Sequence, residues 1–463
     1  MTCNATCDVA VIGGGPGGLD AALACAERGM SVVLAEARDL GGVCLNRGCI
    51  PTKLMLAATA PLAEIAAQAR YNIYASATDP AAALGFDHAA LMARKDRLIA
   101  GLRQAAAKRL KDAGVRVVHG RARFTGPESL AIATDQGEEN VSFGHAVLAT
   151  GSRPAYPKGL EPDGKNVLSS TQLLGLDQVP ESLLVLGGGA VGLELAAYFR
   201  RLGCRVDIVE AQDRLAPNED PEVSEVIAKT LKREKYGLHL GSPATELARE
   251  PGGVRLKLAT GLELQAAKAL VALGRVPNSR DMGLEELGVE LAGPGWPATD
   301  EHLRVTPRIL AVGDVNGRWL LAHAASHQAL HAAKVMAGET RAAYDPGPMP
   351  SCIYGPVEAM RAGASAAQLK AQGCEVMVSK AQLAANPMAQ AHGASQGMVK
   401  AIWVDGRVRS VVAAGTGTAA LASLAASVVA GQWDRSTAES FVFPHPGLEE
   451  SLGQALLAPV QAA

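Results

Sequence analysis

The sequence lacks a strong charge of either sign. Its 463 residues include 44 lysines and arginines against 46 aspartates and glutamates, which gives a net charge of −2. Proteins that bind nucleic acids or acidic membrane surfaces usually carry an excess of basic residues, so this balance argues against both partners. With 19% charged and 48% hydrophobic residues, the chain is not expected to be disordered, and its length predicts more than one domain.

Long hydrophobic runs and dense cysteines are also missing. The longest apolar stretch, AALASLAASVVAG from Ala419, is 13 residues long and contains two serines, whereas a membrane-spanning helix needs about 20 residues. The N-terminus has no basic region before an unbroken apolar run, so no signal peptide is expected. Eight cysteines are too few for the disulfide scaffold of a secreted protein. These absences favour a soluble, cytoplasmic protein.

One segment of the sequence occurs twice. VAVIGGGPGGLDAALACAERGMSVVLAE from Val9 aligns with LLVLGGGAVGLELAAYFRRLGCRVDIVE from Leu183. Each copy consists of an apolar strand, a glycine turn, an Ala/Leu-rich helix and a second strand that ends in glutamate. The pattern predicts a βαβ unit in each copy. The aligned functional positions are Gly13/Gly187, Gly15/Gly189, Gly18/Gly192 and Glu36/Glu210.

The spacing G-x-G-x-x-G, followed by an acid at the end of the next strand, is typical of dinucleotide binding. Glycines allow a tight turn and a close approach of the backbone to a pyrophosphate, which lies at the positive N-terminus of the helix. Glu36 and Glu210 would then accept hydrogen bonds from the ribose 2′-hydroxyls. Glu210 disfavours NADP, because a carboxylate repels a 2′-phosphate. Glycine turns also occur for structural reasons alone, but two full copies argue for two dinucleotides, FAD and NAD.

Two cysteines, Cys44 and Cys49, follow the first copy in the segment GGVCLNRGCIPTK. A disulfide that closes so short a loop stabilises the fold by only roughly 2 kcal/mol in the chain-entropy model. Such a bridge suits a redox switch better than a structural link, although this spacing is also compatible with two unrelated thiols. No second pair with zinc-ligand spacing lies nearby, and we predict no metal site. Most of the six other cysteines are interpreted as buried or tail thiols.

Several motifs together carry a resemblance to a known family. GGVCLNRGCIPTK, ATGSRP, the two glycine motifs, ALGRVPN, VGD and LAH occur in the same order in the FAD-dependent pyridine-nucleotide disulfide oxidoreductases. The similarity covers essentially the whole chain and is greatest to the members that oxidise dihydrolipoamide. It implies an α/β fold with two Rossmann-like dinucleotide-binding domains and a C-terminal α+β dimerisation domain. The expected domains are 1–150 (FAD-binding, first part), 151–273 (NAD-binding), 274–343 (FAD-binding or central, second part) and 344–463 (dimerisation).

The same resemblance implies a role for particular residues. Cys44 would exchange with the substrate, and Cys49 would form the charge-transfer thiolate beside the flavin. Lys53 would lie near the flavin N5 and pair with Glu194, and Asp314 would bind the ribityl chain of FAD. A further cofactor contact is expected at Ala122, at the end of a turn that begins at Gly120. Others are expected at Gly151, Gly274, Leu321, Ala322 and His323.

The C-terminal segment FVFPHPGLEES resembles the family's histidine signature. Aligned with it, His445 is the catalytic base and Glu450 is the carboxylate that orients it. Thiol–disulfide exchange requires the substrate thiol to lose its proton, and a histidine held by a carboxylate suits this task.

The sequence also departs from the family pattern. Phe443 and Gly447 replace a histidine and a threonine of that signature, and Ser326 and His327 replace acids that commonly follow LAH. The segments YGPVEAMRAG and AGTGTAALASLAA also differ from the usual interface motifs. The departures fall in or near the expected substrate entrance and dimer interface, whereas the cofactor motifs are nearly intact.

The expected reaction is the oxidation of dihydrolipoamide by NAD⁺ through FAD and the two cysteines. One alternative is the reduction of another disulfide, such as glutathione disulfide, with NAD(P)H. Another is a flavoprotein subunit that relays electrons and has impaired lipoamide turnover. The expected partners are a second copy of the chain and a lipoyl-bearing protein of a 2-oxo acid dehydrogenase or glycine-cleavage complex.

Overall fold

The computed structural model of the chain describes residues 3–74, 81 and 84–463. Within it the chain forms two compact units, each assembled from three separate segments. The first unit contains residues 1–51, 93–155 and 274–346. The second unit contains residues 52–92, 156–273 and 347–463.

A seven-stranded sheet forms the centre of the first unit. Its core is parallel, and the strand Val32–Glu36 is buried along its whole length, as expected for a strand covered on both faces. The seventh strand, Ile309–Ala311, pairs in parallel with Gly137–Leu148. The other six strands, in spatial order, are Arg116–His119, Val32–Glu36, Cys3–Ile12, Gly137–Leu148, Ser129–Thr134 and Arg121–Gly126, the last two antiparallel.

The first predicted βαβ unit lies within this sheet. Helix Pro16–Ala26 connects the two parallel strands Cys3–Ile12 and Val32–Glu36. Alanines on this helix are buried together with alanines of helix Ala322–Met336 in one apolar core. Small side chains therefore cover this face of the sheet.

Shorter elements complete the first unit. They comprise two antiparallel pairs of short strands, a 3₁₀ turn before the last helix of the unit, and one short helix. These elements are the paired strands Ser152–Pro154 and Arg275–Pro277, the paired strands Leu291–Ala292 and Trp296–Pro297, the turn Gly313–Asn316 and the helix Gly42–Arg47. Two long helices, Cys49–Ala69 and His88–Asp112, begin in one unit and end in the other.

The second unit contains the second predicted βαβ unit. Helix Ala190–Arg201 connects Ser182–Leu186 to Arg205–Glu210 in a parallel five-stranded sheet. The order of that sheet is Gly237–Leu240, Arg205–Glu210, Ser182–Leu186, Lys268–Val271 and Val167–Leu168. Helices Ser170–Leu173 and Pro221–Arg233 and an antiparallel sheet of Ala244–Glu250, Gly253–Leu258 and Glu263–Ala266 accompany it.

The C-terminal part of the second unit is an antiparallel six-stranded sheet with helices. The strands Gly397–Val404 and Arg407–Gly415 are its most buried members. The order is Pro350–Tyr354, Glu358–Gly363, Arg407–Gly415, Gly397–Val404, Met377–Gln382 and Gln461–Ala462. The helices and 3₁₀ turns are Ala366–Ala371, Leu383–Ala385, Pro387–Ala391, Thr418–Leu421, Ala422–Ala430, Arg435–Ser440 and Glu450–Leu457. The α/β class, the two Rossmann-like units and the C-terminal α+β region are thus those predicted from the sequence.

One helical stretch, Gly42–Ala69, is long and apolar enough to cross a membrane by length and composition alone. A single stretch of this kind is weak evidence for a membrane span, because the core helix of a soluble protein passes the same test. Both Cys44 and Cys49 lie on it.

The remaining cysteines fall into two groups. Cys7, Cys25 and Cys204 are buried, whereas Cys352 and Cys374 are partly exposed. The side chain of Cys3 lies outside the described residues.

Candidate functional site

The first glycine turn is shaped so that side chains would not fit in it. A Cβ added at Gly13 would lie 2.4 Å from the carbonyl oxygen of Ala149, and one at Gly18 would lie 1.8 Å from that of Gly13. Gly15, in contrast, meets only a Cα at 3.9 Å. The helix begins after Gly15 without a side-chain cap, so its first N–H groups remain available. This open end fits the pyrophosphate of a dinucleotide.

Glu36 holds the same turn from the end of the next strand. Its Oε2 accepts a hydrogen bond from the Gly14 N–H at 2.6 Å, and its Oε1 accepts one from the Arg38 N–H at 2.7 Å. The Gly120 N–H donates to the Glu36 carbonyl at 2.9 Å. Ala122, expected in a turn, instead lies in the strand Arg121–Gly126, which begins directly after Gly120. Each carboxylate oxygen keeps a second acceptor position for a ribose hydroxyl.

The second glycine turn repeats this arrangement. Cβ atoms at Gly187 and Gly192 would collide with the carbonyls of Ala272 and Gly187, whereas one at Gly189 would meet nothing within 4 Å. The helix that follows Gly189 also lacks a side-chain cap. The second turn therefore fits a second pyrophosphate.

Glu210 binds its turn as Glu36 does. Its Oε2 accepts from the Gly188 N–H at 2.8 Å, and its Oε1 accepts from the Gln212 N–H at 2.9 Å. Both glutamates are 9% exposed. Each therefore has a structural role in its turn that the sequence reasoning did not anticipate. Gly274, beyond the end of the neighbouring strand, has φ +112°, a conformation that favours glycine.

Asp314 lies in the 3₁₀ turn Gly313–Asn316 and belongs to a polar network. Its Oδ2 accepts a hydrogen bond from the Ser152 hydroxyl at 2.6 Å, and Arg275 Nε donates to the same hydroxyl at 2.6 Å. Ser152 follows Gly151, which has φ +69°. The network fixes the carboxylate of Asp314, the group that was predicted to bind the ribityl chain of FAD.

A buried glutamine accepts hydrogen bonds from the 3₁₀ turn Gly313–Asn316. Gln328 is fully buried, and its Oε1 accepts from the Gly313 N–H at 2.7 Å and from Asn316 Nδ2 at 3.0 Å. The helix that carries it begins at Ala322 after an uncapped Leu321, and His323 is exposed in its first turn. The sequence reasoning did not identify Ser152, Arg275 or Gln328.

The loop of the two cysteines is attached to the first glycine turn. The Gly41 N–H donates to the carbonyl of Gly14 at 2.7 Å, and a Cβ on Gly42 would lie 2.7 Å from the Cα of Gly15. The backbones are therefore in direct contact, and only glycines permit this approach. A dinucleotide bound at the turn would lie beside the cysteine loop.

Cys44 and Cys49 differ in their surroundings. Cys44 lies within the short helix Gly42–Arg47 and is partly buried. Cys49 is exposed and is the first residue of helix Cys49–Ala69. The positive end of a helix favours a thiolate, so its position suits Cys49 to carry a negative charge.

In the second unit, Lys53 and Glu194 form an ion pair with Nζ and Oε2 2.7 Å apart. Glu194 is 7% exposed, and its other oxygen accepts from the Tyr354 N–H at 3.1 Å. The Lys53 ammonium also lies 4.7 Å from the centre of the Tyr354 ring. Burial, together with the neighbouring Cys352 thiol, raises the pKa of Tyr354 to about 12, so the phenol stays neutral.

His445 and Glu450 form the second pair of this unit. Nδ1 of His445 lies 2.9 Å from Oε1 of Glu450, and Oε2 accepts from the Gly447 N–H at 3.0 Å. The hydrogen bonds from Gly447 and His445 hold the pKa of Glu450 below its ordinary value. The His445 side chain is 70% exposed, so Nε2 is the nitrogen available to a substrate thiol.

Aromatic rings lie beside this pair. Phe441 lies between Trp433 and Phe443, with its ring centre 4.9 Å from each, tilted by 52° to Trp433 and edge-on to Phe443. A Cβ on Gly453 would lie 2.7 Å from the Phe443 ring, so this glycine makes room for the phenylalanine. The departure at Phe443 is thus matched by its surroundings.

The predicted site residues are divided between the two units. The first unit contains the cysteine loop, the first glycine turn and Asp314, and the second contains the second glycine turn, the Lys53–Glu194 pair and the His445–Glu450 pair. Among residues 3–74, 81 and 84–463, no group of three or more His, Cys, Asp or Glu side chains could hold a metal ion.

Comparison with known proteins identifies the family. The family model described as pyridine nucleotide-disulphide oxidoreductase matches residues 7–329, and the dimerisation domain of the same family matches residues 349–456. The dihydrolipoyl dehydrogenase of Chlorobaculum parvum is 36% identical over 408 residues, which cover 86% of this chain and 85% of the relative. The dihydrolipoyl dehydrogenase of Bacillus subtilis is 31% identical over 458 residues, which cover 98% of this chain and 99% of the relative.

Solved structures share the fold. LpdA from Mycobacterium tuberculosis superposes with a TM-score of 0.88 at 24% identity, covering 97% of this chain and 99% of that one. The HOCl-induced flavoprotein disulfide reductase RclA from Escherichia coli superposes with a TM-score of 0.82 at 24% identity and the same coverage.

The family indicates the cofactors and the oligomeric state. FAD and NAD are the cofactors of these oxidoreductases, as predicted, and the dimerisation domain supports a homodimer. With both family models matched in the expected order along the sequence, the chain belongs to the pyridine nucleotide-disulphide oxidoreductases.

Proposed function

We propose that the protein oxidises dihydrolipoyl groups with NAD⁺ and is a dihydrolipoyl dehydrogenase. The observation that carries this proposal is the attachment of the Cys44–Cys49 loop to the first glycine turn through Gly41 and Gly14. It would hold a redox-active cysteine pair next to a bound flavin. The names of the relatives from Chlorobaculum parvum and Bacillus subtilis support the choice of substrate.

Each catalytic side chain has a task in this proposal. His445 accepts the proton of a substrate thiol at Nε2, while Glu450 fixes the ring through Nδ1. The resulting substrate thiolate attacks Cys44 of the Cys44–Cys49 disulfide, and Cys49 leaves as a thiolate. The second substrate thiol then displaces Cys44 from the mixed disulfide and gives its proton to the departing Cys44 sulfur. This step releases the cyclic disulfide and leaves a Cys44 thiol, a Cys49 thiolate and a protonated His445.

The cofactors complete the reaction. FAD, when bound, supplies the transfer of two electrons between the cysteine pair and the nicotinamide. Gly13, Gly15, Gly18 and Glu36 would hold its adenosine diphosphate, and Gly187, Gly189, Gly192 and Glu210 would hold that of NAD. Lys53 would keep a positive charge beside the flavin, and Glu194 orients Lys53.

We further propose the predicted division into domains. Residues 1–150 and 274–343 would bind FAD, residues 151–273 would bind NAD, and residues 344–463 would form the dimer interface. In the homodimer, each Cys44 would face the partner subunit's His445. A lipoyl-bearing protein of a 2-oxo acid dehydrogenase or glycine-cleavage complex would supply the substrate, in the cytoplasm.

The proposed function is tested by steady-state kinetics with two pairs of substrates. We expect oxidation of dihydrolipoamide with NAD⁺ to exceed reduction of glutathione disulfide with NADPH by at least about a hundredfold in kcat/KM, or roughly 2.7 kcal/mol. A higher kcat/KM with glutathione disulfide would show that the protein is a reductase of another disulfide and not a dihydrolipoyl dehydrogenase. Absence of both activities in a protein that contains FAD would favour an electron-relay subunit.

A further inference from the structure

A guanidinium group from a distant helix binds the loop between the two cysteines. Arg103, on helix His88–Asp112, donates from Nε and Nη2 to Asn46 Oδ1 at 3.1 and 2.9 Å. Its Nη1 lies 3.1 Å from Asp39 Oδ1. Asp39 Oδ2 in turn accepts from Arg47 Nη1 at 2.8 Å. The chain around the cysteines is therefore held by one connected network within the first unit.

Asn46 is the centre of this network. Besides accepting from Arg103, its Nδ2 donates to the carbonyls of Leu40 and Gly42 at 3.0 and 2.8 Å. Both N–H bonds and the oxygen of the amide are thus engaged. The orientation of the amide is determined as well, because only its oxygen can face a guanidinium and only its nitrogen can face two carbonyls.

The backbone that this network restrains contains a pair of glycines. Gly41 and Gly42 have φ values of +91° and +58°, and a glycine pair loses more conformational freedom on ordering than other residues do. The Arg103 side chain is 43% exposed and that of Asp39 is 29% exposed, so solvent screens the ion pair and it alone adds little to stability. Its main effect is geometric, since a planar guanidinium fixes two acceptors in one orientation.

We propose that Arg103 is a positioning residue for the Cys44–Cys49 pair, because it restrains the loop between the two cysteines through Asn46 and Asp39. The inference rests on the proposed function only in taking the two cysteines as a redox pair. When the disulfide forms, each thiol loses a proton, and the two electrons pass to an oxidant. A loop that stays ordered in the reduced protein lowers the conformational entropy that must be lost when the two sulfurs come together, which favours disulfide formation.

The equilibrium between dithiol and disulfide tests the proposal. FAD-containing protein is equilibrated with mixtures of reduced and oxidised dithiothreitol, which donates or accepts the two electrons. The thiols of Cys44 and Cys49 are then alkylated and measured by mass spectrometry of their peptides. We expect Arg103→Leu to lower the equilibrium constant for disulfide formation about tenfold, a shift of about 30 mV for a two-electron couple.

Two further variants separate a positioning role from a general structural one. Arg103→Lys keeps the charge but cannot form the fork, so we expect an intermediate shift. Arg97→Leu removes an exposed arginine from the same helix and should leave the equilibrium unchanged. Flavin absorbance and thermal melting show which variants are folded. If Arg103→Leu does not fold, the shift measured for Arg103→Lys tests the proposal instead.

Asn46→Ala provides a double-mutant cycle. If Arg103 acts through Asn46, the shifts of the two single variants do not add in the double variant. Additive shifts, or an Arg103→Lys variant that matches the wild type, would overturn the proposal. Failure of the proposed redox pair is a different result, because the wild type itself would then show no exchange between Cys44 and Cys49 in any mixture.

Discussion

Lys53 is bound to Glu194 at 2.7 Å while its ammonium lies over the ring of Tyr354, and Tyr354 itself donates its backbone N–H to the second oxygen of Glu194. Three residues far apart in sequence thereby form a closed set of contacts. Because each of the three is held by the other two, the position of the Lys53 charge does not depend on a single hydrogen bond.

The first prediction concerns this charge. Lys53→Met should slow the reduction of the enzyme by NADH about 10–100-fold, because a charged hydrogen bond contributes about 1.5–3 kcal/mol. Stopped-flow absorbance of the flavin measures the rate. Tyr354→Phe is the matched control, since it keeps the ring and the backbone N–H and should retain a rate close to that of the wild type. An unchanged rate in Lys53→Met would place Lys53 outside the reaction.

The second prediction concerns the choice of nucleotide. We expect a strong preference for NAD(H) over NADP(H), since Glu210 would bind a ribose hydroxyl and repel a phosphate. Glu210→Gln should reduce this preference by about tenfold or more in kcat/KM. Glu36→Gln makes the same change at the first turn and should lower the affinity for FAD without changing the preference. Equal or better use of NADPH by the wild type would refute the assignment of Glu210.

The third prediction assigns the two cysteines. Two-electron reduction should produce a long-wavelength charge-transfer band, because a Cys49 thiolate would lie beside oxidised flavin. Cys44→Ser should show this band without reduction, since Cys49 would then have no disulfide partner. Cys49→Ser should not show it. The opposite pair of spectra would exchange the two roles.

The fourth prediction concerns thiol reactivity and its pH dependence. Burial raises the pKa of Cys7 to about 11 and those of Cys25 and Cys204 to about 12. The thiolate is the reactive form, so at pH 8 about one Cys25 side chain in ten thousand is reactive. In reduced native protein, iodoacetamide should label Cys49 long before these three, as measured by mass spectrometry. Rapid labelling of Cys25 without unfolding would contradict its burial.

The fifth prediction concerns the base. His445→Gln should slow thiol exchange by at least about a hundredfold while FAD remains bound. Glu450→Ala should have a smaller effect, because Glu450 orients the ring without touching the substrate. The lowered pKa of Glu450 means that its hydrogen bonds to Gly447 and His445 are present above its ordinary pKa and are lost as the pH falls through the depressed value. Acidification to pH 5 should therefore leave this contact intact, as NMR of the carboxyl group can show.

Mixed dimers test where the base comes from. A heterodimer of a Cys44→Ser chain with a His445→Gln chain should retain one working site, since one intact Cys44 would face one intact histidine. The two homodimeric variants are the controls and should be inactive or nearly so. An inactive heterodimer would mean that each chain supplies its own base.

Local patterns made part of this site predictable. Each glutamate lies 22 residues from the glycine whose N–H it binds, so strand, turn and helix periods are sufficient to place both glycine turns. His445 and Glu450, five positions apart, were instead assigned by the family resemblance. The cysteine pair needed the family resemblance in addition, because its spacing alone is ambiguous.

Contacts between distant segments were not predictable unless the family resemblance supplied them, as it did for the ion pair of Lys53 with Glu194. Ser152 meets Asp314 and Arg275, and Arg103 meets Asn46, only because the tertiary fold brings separate strands and helices together. Polar residues of these types are common on surfaces, and nothing in their local sequence distinguishes them. Gln328 appears in the sequence as one more residue of an alanine-rich helix, although it is fully buried.

The late strand Ile309–Ala311 has a consequence for biosynthesis. It pairs with Ala146–Leu148, although the whole second βαβ unit lies between them in the sequence. At about 5–20 residues per second, a ribosome needs several seconds to make that intervening segment. During this interval the edge of Gly137–Leu148 that later receives the strand lacks its native neighbour, so a nascent chain paused there exposes unpaired backbone groups and is a natural client for a chaperone.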